Sequence, residues 1–368
     1  MYDIFAAIGL IILAGFVAIE LSIASAIFEI LAGVLASNFF NFAGAEVIDV
    51  LADIGILALM FFAGLEIDFD VLKKNAKSSM VIGSASFLVP FLAVYLLTIY
   101  FLHYSFEQAL LTGIALSTTS IAIVYPMLLK SKERLDDIGK KILSAAMIVD
   151  LLSMTTLSLL FSDITIITIT FIMAFAIFSW FVPYFGERLF SHYKGNTVEF
   201  EFKIILFMIL GIGIAGEAIG IEIVLLAFIL GIATSEIIVV HRKLWDKLRG
   251  ITFGCLAPIF FFKAGTAIKL AALYENILLI LLLVTVCFIS KYVGTYITTK
   301  RYMPKQAAYV ATIFNSRLSL GIVAATIGYE LAVFTEGLYA SIIGAVILSS
   351  LIASFLIRKP TIPNNQKA

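Results

Sequence analysis

One aspartate, Asp150, stands at the centre of an apolar run from Gly139 to Phe161, in the stretch SAAMIVDLLSM, with eleven residues on either side. If that run is a helix, the carboxyl group lies about 16 Å from each end, the middle of a hydrocarbon layer about 30 Å thick. A carboxylate there costs on the order of 3 kcal/mol on insertion scales, and its short side chain cannot reach the interface. It must therefore face a cavity, meet a partner or carry a proton. Burial favours the protonated form of a carboxyl group and a nearby cation favours the ionised form. A group balanced between the two can exchange a proton for a metal cation. A purely structural buried ion pair is the other reading.

A second set of polar residues lies in two further apolar runs. The segment TGIALSTTSIAIVYPM holds four consecutive hydroxyls, Ser117, Thr118, Thr119 and Ser120, between Gly113 and Pro126. Hydroxyls satisfy backbone groups where a membrane helix unwinds, and hydroxyl and carbonyl oxygens suit a small hard cation. Hydrogen bonding between helices is the blander reading. The segment TIFNSRLSLG carries Asn315, Ser316, Arg317 and Ser319. Interrupted helices at corresponding places in two halves of a chain point to a binding site. Lys291, in CFISKYVGTYI, is expected as a counter-charge near Asp150, against the alternative of a lysine snorkelling two turns to the interface. Lys263 lies six residues from the end of its run and is more prone to snorkel. Glu29 and Glu236 could line an ion path or sit at interfaces between helices.

These residues need elements to hold them, and composition says which. Of 368 residues, 62% are hydrophobic and 14% charged, where soluble domains run at roughly 45–50% apolar and about 25% charged. Several windows exceed 18 residues with almost no charge, which is the signature of membrane-spanning helices. No strand-like alternation suggests a barrel. The fold class expected is an all-α polytopic membrane protein of about thirteen spans, near 3–19, 21–37, 46–65, 79–101, 107–128, 139–161, 164–185, 202–218, 221–240, 251–268, 273–299, 305–328 and 336–357. The first run lacks a basic leader and a small-residue cleavage site, so it reads as a retained helix. Cys255 and Cys287 both fall in apolar runs and read as membrane-buried small side chains.

Numbering the connections alternately separates the charges. Twenty-one of the 25 basic residues fall in one set, from Lys73 to Lys367, and the other set holds only Lys269. The positive-inside rule then puts the N-terminus outside and the C-terminus in the cytoplasm, with an odd number of spans. The remaining three, Lys263, Lys291 and Arg317, lie within spans.

Two motifs recur in order. FEILAGVLASN (28–38) resembles LAFILGIATSE (226–236), and MFFAGLEIDF (60–69) resembles IFFFKAGTAIKL (259–270). From Gly33 to Gly231 is 198 residues and from Gly64 to Gly265 is 201. The offset is seven spans, an odd number, so the second copy is inverted, as in secondary transporters. The expected repeat relates spans 1–6 to spans 8–13, with two discontinuous helices crossing. No P-loop, dinucleotide fingerprint or His/Cys cluster is visible, so an enzyme or an ATP-driven pump lacks its residues, and no cofactor is expected.

Over nearly its whole length, from the second span to the last, the chain resembles the second branch of the monovalent cation:proton antiporter superfamily, the sodium/proton exchangers and potassium-efflux systems. EILAGVLAS is similar to that family's second helix, GILALMFFAGLEIDFDVLKKN to its most recognisable stretch, ALSTTSIAIVYPML to its unwound crossing helix and PIFFFKAGTAI to the matching segment of the second half. MIVDLLSM resembles the helix with the essential aspartate, ISKYVGTY the core lysine motif, and NSRLSLGIV the segment with a crossing-helix arginine. The resemblance implies that Asp150 binds the cation (Na⁺ before K⁺) or the proton, that Lys291 is the core lysine and that Arg317 is the crossing-helix arginine; from their own types and positions the hydroxyls of residues 117–120 are candidate ligands, Asn315 a candidate core partner, and Lys263 and Glu29 candidate ion-path residues.

The resemblance further implies a scaffold and dimerisation bundle (1–75 and 202–270), an ion-translocating core (76–163 and 271–358), a linker (164–201) and a short cytoplasmic tail (359–368). It implies a homodimer in the plasma membrane, surrounded by lipid, working by alternating access. Two departures stand out. Val149 precedes the aspartate where relatives carry an acid or an amide, and Leu318 and Ser319 follow the arginine where relatives often have Gly and Glu. With one carboxylate, exchange of one cation per proton, without net charge movement, is expected. No nucleotide-binding domain follows, and nucleic acid is not an expected partner. The alternatives are a K⁺/H⁺ exchanger, a cation channel and a non-transporting membrane sensor.

Overall fold

The computed structural model describes residues 2–21, 23–40, 42, 46–130, 137–161, 200–217 and 223–358, with isolated positions between 170 and 188. The expected span 164–185, most of the linker 164–201 and the tail 359–368 lie outside the described residues.

The described elements are helical. They are α1 (Tyr2–Leu21), α2 (Ser25–Phe39), α3 (Glu46–Leu65), α4 (Phe69–Lys74), α5 (Ala76–Leu96), α6 (Phe106–Ser117), α7 (Ile121–Lys130) and α8 (Asp137–Phe161). Further along the chain come α9 (Phe200–Glu217), α10 (Ile223–Val240), α11 (Arg242–Ile251), α12 (Ala257–Thr266), α13 (Leu270–Glu275), α14 (Ile277–Tyr302), α15 (Ala307–Ile313), α16 (Ser319–Glu330) and α17 (Glu336–Arg358). Widened turns continue α5 through Leu97–Phe101 and join α11 to α12 through Thr252–Leu256. Among the described residues, seven helical stretches are long and apolar enough to cross a membrane unbroken. Large apolar side chains cover the outside, Phe5, Tyr100, Phe207 and Leu278 among them. Such a surface suits lipid, because a soluble monomer keeps its exposed apolar patches small.

Local chemistry sets several of the ends. Asp68 caps α4, accepting from the backbone N–H of Asp70 and of Val71, each at 3.0 Å. Ser105 opens α6 with a capping box. Its hydroxyl accepts from Gln108 N–H, and the Gln108 side chain accepts from Ser105 N–H, both at 3.2 Å. Each such cap satisfies donors that a helix start leaves orphaned.

The spans expected at 107–128 and 305–328 are each broken in two. The break between α6 and α7 falls at the hydroxyl run, where Thr118 is extended (φ −61°, ψ 162°). The break between α15 and α16 falls at 314–318, with Leu318 at φ −133°, ψ −76°. The two breaks meet. Ser120 N–H donates to Ser316 O at 2.8 Å, the Thr119 hydroxyl donates to Phe314 O at 3.2 Å, and the hydroxyls of Ser120 and Ser319 are 3.1 Å apart. Each broken helix thus supplies partners that the other's backbone lost.

The helices pack in two groups. In one, α2 lies along α12, α3 along α10 and α12, and α1 against α2. In the other, α5 lies against α14, α8 and α6, and α14 against α15 and α17, while α16 packs on α6 and α17. Glycines set the first group's spacing. A β-carbon on Gly33 would overlap the Phe262 carbonyl oxygen and lie 3.0 Å from Gly265 Cα. A β-carbon on Gly64 would overlap the Phe228 carbonyl oxygen and lie 3.0 Å from Gly231 Cα. Backbones this close gain van der Waals contact, which drives helix association in lipid where the hydrophobic effect is absent.

Candidate functional site

Asp150 occupies the middle of α8 and is buried, 4% exposed. Its Oδ1 is fully enclosed and accepts no hydrogen bond among the described residues. The helix packs against α6 and α7, on both sides of the crossover. A buried carboxylate oxygen without a donor is costly unless a proton or a cation serves it.

Lys291, fully buried at 0% exposure on α14, reaches the crossover. Its ammonium donates to the carbonyls of Ser117, of Thr118 at 2.9 Å and of Ser86 at 3.2 Å. The first two carbonyls are the end of α6, where the helix dipole is negative. Lys291 stands within electrostatic reach of Asp150, yet among the described residues no cation lies at ion-pair distance from Asp150. The ammonium is spent on the carbonyls of the broken helix and not on an ion pair with Asp150. It does not snorkel.

Arg317 is equally buried, between α15 and α16. Its guanidinium donates to the Cys287 sulfur, to Cys287 O at 3.2 Å and to the Asn315 side-chain oxygen at 2.7 Å. Ser350, on α17, closes the break itself. Its hydroxyl donates to Arg317 O at 2.6 Å and accepts from Arg317 N–H at 3.0 Å. Asn315 in turn donates to Ala311 O at 2.9 Å. Thr118 and Ser117 turn their hydroxyls back to Ala115 O at 3.2 Å and Ile114 O at 2.9 Å. All four residues of the hydroxyl run are buried.

A cavity of about 170 Å³ leads to this crossover between the two helix groups. Ser120, Leu318 and Ser319 line it from the breaks, and Ser25, Glu29 and Pro258 line it from the other group. Lys263 is not part of this wall. It pairs with Asp49 on α3, and both side chains are half-exposed. At the same end of the bundle Lys269 donates to Glu336 at 2.9 Å, and that contact raises the Lys269 pKa above its ordinary value. Tyr339 of α17 donates its hydroxyl to Ala264 O of α12 at 2.8 Å, a buried contact between the two groups.

One residue escaped the sequence reading. Glu66, partly buried just past the end of α3, lies within electrostatic reach of both Asp150 and Arg249. It stands in the motif GLEIDF, where its neighbour Gly64 drew attention for the repeat. Nothing in the one-dimensional pattern separates it from Glu46 or Asp53 of α3, and only its nearness to Asp150 of α8 does so.

Comparison with known proteins agrees with this geometry. The sodium/hydrogen exchanger transmembrane family matches residues 5–361. A probable Na⁺/H⁺ antiporter of Methanocaldococcus jannaschii is 28% identical over 328 residues, covering 85% of this chain and 84% of that protein. A Na⁺/H⁺ antiporter of Enterococcus hirae is 26% identical over 323 residues, covering 83% of each. The solved structure of the sodium proton antiporter MjNhaP1 from M. jannaschii superposes with a TM-score of 0.75, at 17% identity, over 97% of this chain and 98% of the other. That likeness shares the fold. The chain belongs to the sodium/hydrogen exchanger transmembrane family.

Proposed function

We propose that this protein is a secondary antiporter that exchanges Na⁺ for H⁺ by alternating access. One observation carries the reading: a mid-helix carboxylate, Asp150, keeps a buried oxygen free of protein donors beside a crossover of two broken helices. Asp150 holds either Na⁺ or a proton, and that mutual exclusion couples the two fluxes. Lys291 ties down the end of α6 and, by its charge, helps Asp150 release its proton when Na⁺ arrives. A single exchanging carboxylate makes the cycle one for one, without net charge movement.

The glycine contacts support an inverted repeat. Exchanging the two proposed copies replaces Gly33 by Gly231 and Gly265 by Gly64, which turns the Gly33–Gly265 contact into the Gly231–Gly64 contact. Both contacts exist. Rocking of the α5–α8 and α14–α17 group against the glycine-locked group would then expose the crossover to each side in turn. The cavity is lined by Ala24, Ser25 and Ala26 where α2 begins, at the end of the lysine-rich connections, and the Tyr339–Ala264 contact lies toward the opposite end. With the lysine-rich end cytoplasmic, the conformation is inward-open. The protein would reside in a cell's plasma membrane, as a homodimer joined through the α1–α3 and α9–α12 group.

Exchange of K⁺ is the second reading, favoured by a Bacillus cereus relative named a Na⁺/H⁺-K⁺ antiporter that is 24% identical over 328 residues. The deciding experiment is dissipation of an imposed pH gradient in proteoliposomes by Na⁺, Li⁺ and K⁺, for wild type and Asp150→Asn. Collapse by Na⁺ in the wild type alone supports the proposal. Collapse by K⁺ alone replaces the ion, and equal flux in both proteins removes Asp150 from the mechanism.

A further inference from the structure

Glu29 is the carboxylate among the residues that line the cavity. It sits on α2, 4% exposed, and its side chain lines the space that ends on Ser120 and Ser319. Apolar groups such as Leu59, Pro258 and Phe261 make up most of the remaining wall. A carboxylate facing an apolar cavity wants a proton or a cation. The other oxygens at hand are the hydroxyls of Ser25, Ser120 and Ser319, and Ser25 already hydrogen-bonds Glu29. Carboxylate and hydroxyl oxygens are the ligands that small hard cations take. The cavity, about 170 Å³, has room for such a cation with several of its waters.

The position is also fixed. Gly33, one helical turn beyond Glu29, is pressed against Phe262 O and Gly265 with no space for a side chain. Glu29 therefore stays with α12 while the group that carries Ser120, Ser319 and Asp150 moves.

We propose that Glu29 is a second cation station, on the stationary wall of the cavity, which Na⁺ occupies on its way from the lysine-rich face to Asp150. This rests on the antiport reading above. The station raises the local cation concentration at the crossover, and rocking of the mobile group takes Ser120 and Ser319 away from it. A cation held partly by those hydroxyls is thereby released toward Asp150 or back to the entrance.

The test is Na⁺-driven proton efflux in proteoliposomes of known orientation, with Na⁺ added to either side. Glu29→Gln is expected to raise the half-saturating Na⁺ concentration about fivefold from the lysine-rich side, with a smaller change in maximal rate, the signature of lost ground-state binding. From the opposite side the half-saturating concentration should change less than about twofold, since that entry path avoids Glu29. Glu29→Asp, which keeps the charge, should fall between wild type and Glu29→Gln, and it carries the test if Glu29→Gln does not yield a monodisperse protein. A wild-type half-saturating value in the folded variant overturns the station. So does an equal loss from both sides, or a fall in maximal rate at unchanged half-saturation. Asp150→Asn separates the two claims. If that variant still exchanges, the antiport reading itself fails. If it is inactive while Glu29→Gln behaves as wild type, only the station fails.

Discussion

The ammonium of Lys291 donates to the backbone carbonyl of Thr118 at 2.9 Å, tying the middle of an unbroken helix to the end of a broken one. With Ser86 O and Ser117 O as further acceptors, this lysine serves three carbonyls that water cannot reach. Its charge also sits where the α6 dipole is negative.

Replacing Lys291 by Met should therefore destabilise the core. Each buried carbonyl left without a donor costs about 1–3 kcal/mol. The melting temperature in detergent is expected to fall by several degrees, together with loss of exchange. A Met variant that melts with the wild type would show that these contacts add nothing.

Asp150→Asn should separate activity from fold. Because Oδ1 accepts no protein hydrogen bond, the amide can take the same place without breaking a native contact. Exchange is expected to disappear while the melting temperature stays close to wild type. Asp150→Ala should likewise abolish flux. Exchange that persists in both variants would move the ion site elsewhere.

Arg317→Lys is expected to behave as a loss, although the charge is kept. The guanidinium reaches Cys287 and Asn315 together, and an ammonium cannot reproduce that fork. Ser350→Ala should also destabilise, by about 1–3 kcal/mol, since both the N–H and the carbonyl of Arg317 lose their partner. Thermal melting of the two variants, alone and combined, reads the coupling. Strict additivity would argue that the two contacts are independent.

Two glycine substitutions should differ sharply. Gly33→Ala places a methyl group on Phe262 O, and overpacking of this kind costs about 1–3 kcal/mol or more. Gly211→Ala, on α9, meets nothing within 4 Å and should be neutral or slightly stabilising by helix propensity. Equal melting temperatures would mean that α2 and α12 separate easily.

The Lys269–Glu336 pair predicts a pH dependence of stated sign. Its contact raises the Lys269 pKa in the folded protein. The contribution is then complete below the ordinary lysine value, about 10.4, and is lost as pH rises through the higher folded value. The melting difference between wild type and Glu336→Gln should stay flat from about pH 7 to 9 and shrink only in the lysine range. A difference that changes between pH 7 and 9 would point to another group. Because Lys269 is fully exposed, added salt should reduce the difference.

Much of the candidate site was legible as a list of residues. Asp150, Lys291 and Arg317 stand out because a charge inside an apolar run is rare, and the hydroxyl run marks where a membrane helix can open. All four hydroxyl-bearing residues fall at the break between α6 and α7. Their partners were less legible. Lys291 is held by carbonyls rather than by Asp150, Lys263 pairs with Asp49, and Glu66 joins the surroundings of Asp150 without having drawn notice.

The sequence alone determined that the chain fills a membrane with helices, that two of those helices are interrupted, and which few side chains must be served inside it. Transfer into lipid is a cost summed residue by residue along the chain, so composition and spacing suffice to read it. Tertiary structure alone decided who serves whom. The Ser120–Ser316 bond joins residues 196 positions apart (316 minus 120) and Lys291 bonds a carbonyl 173 positions away. Such pairings depend on how closely the helices approach and at what register, and glycine contacts such as Gly33–Gly265 set that approach through the shape of two facing backbones.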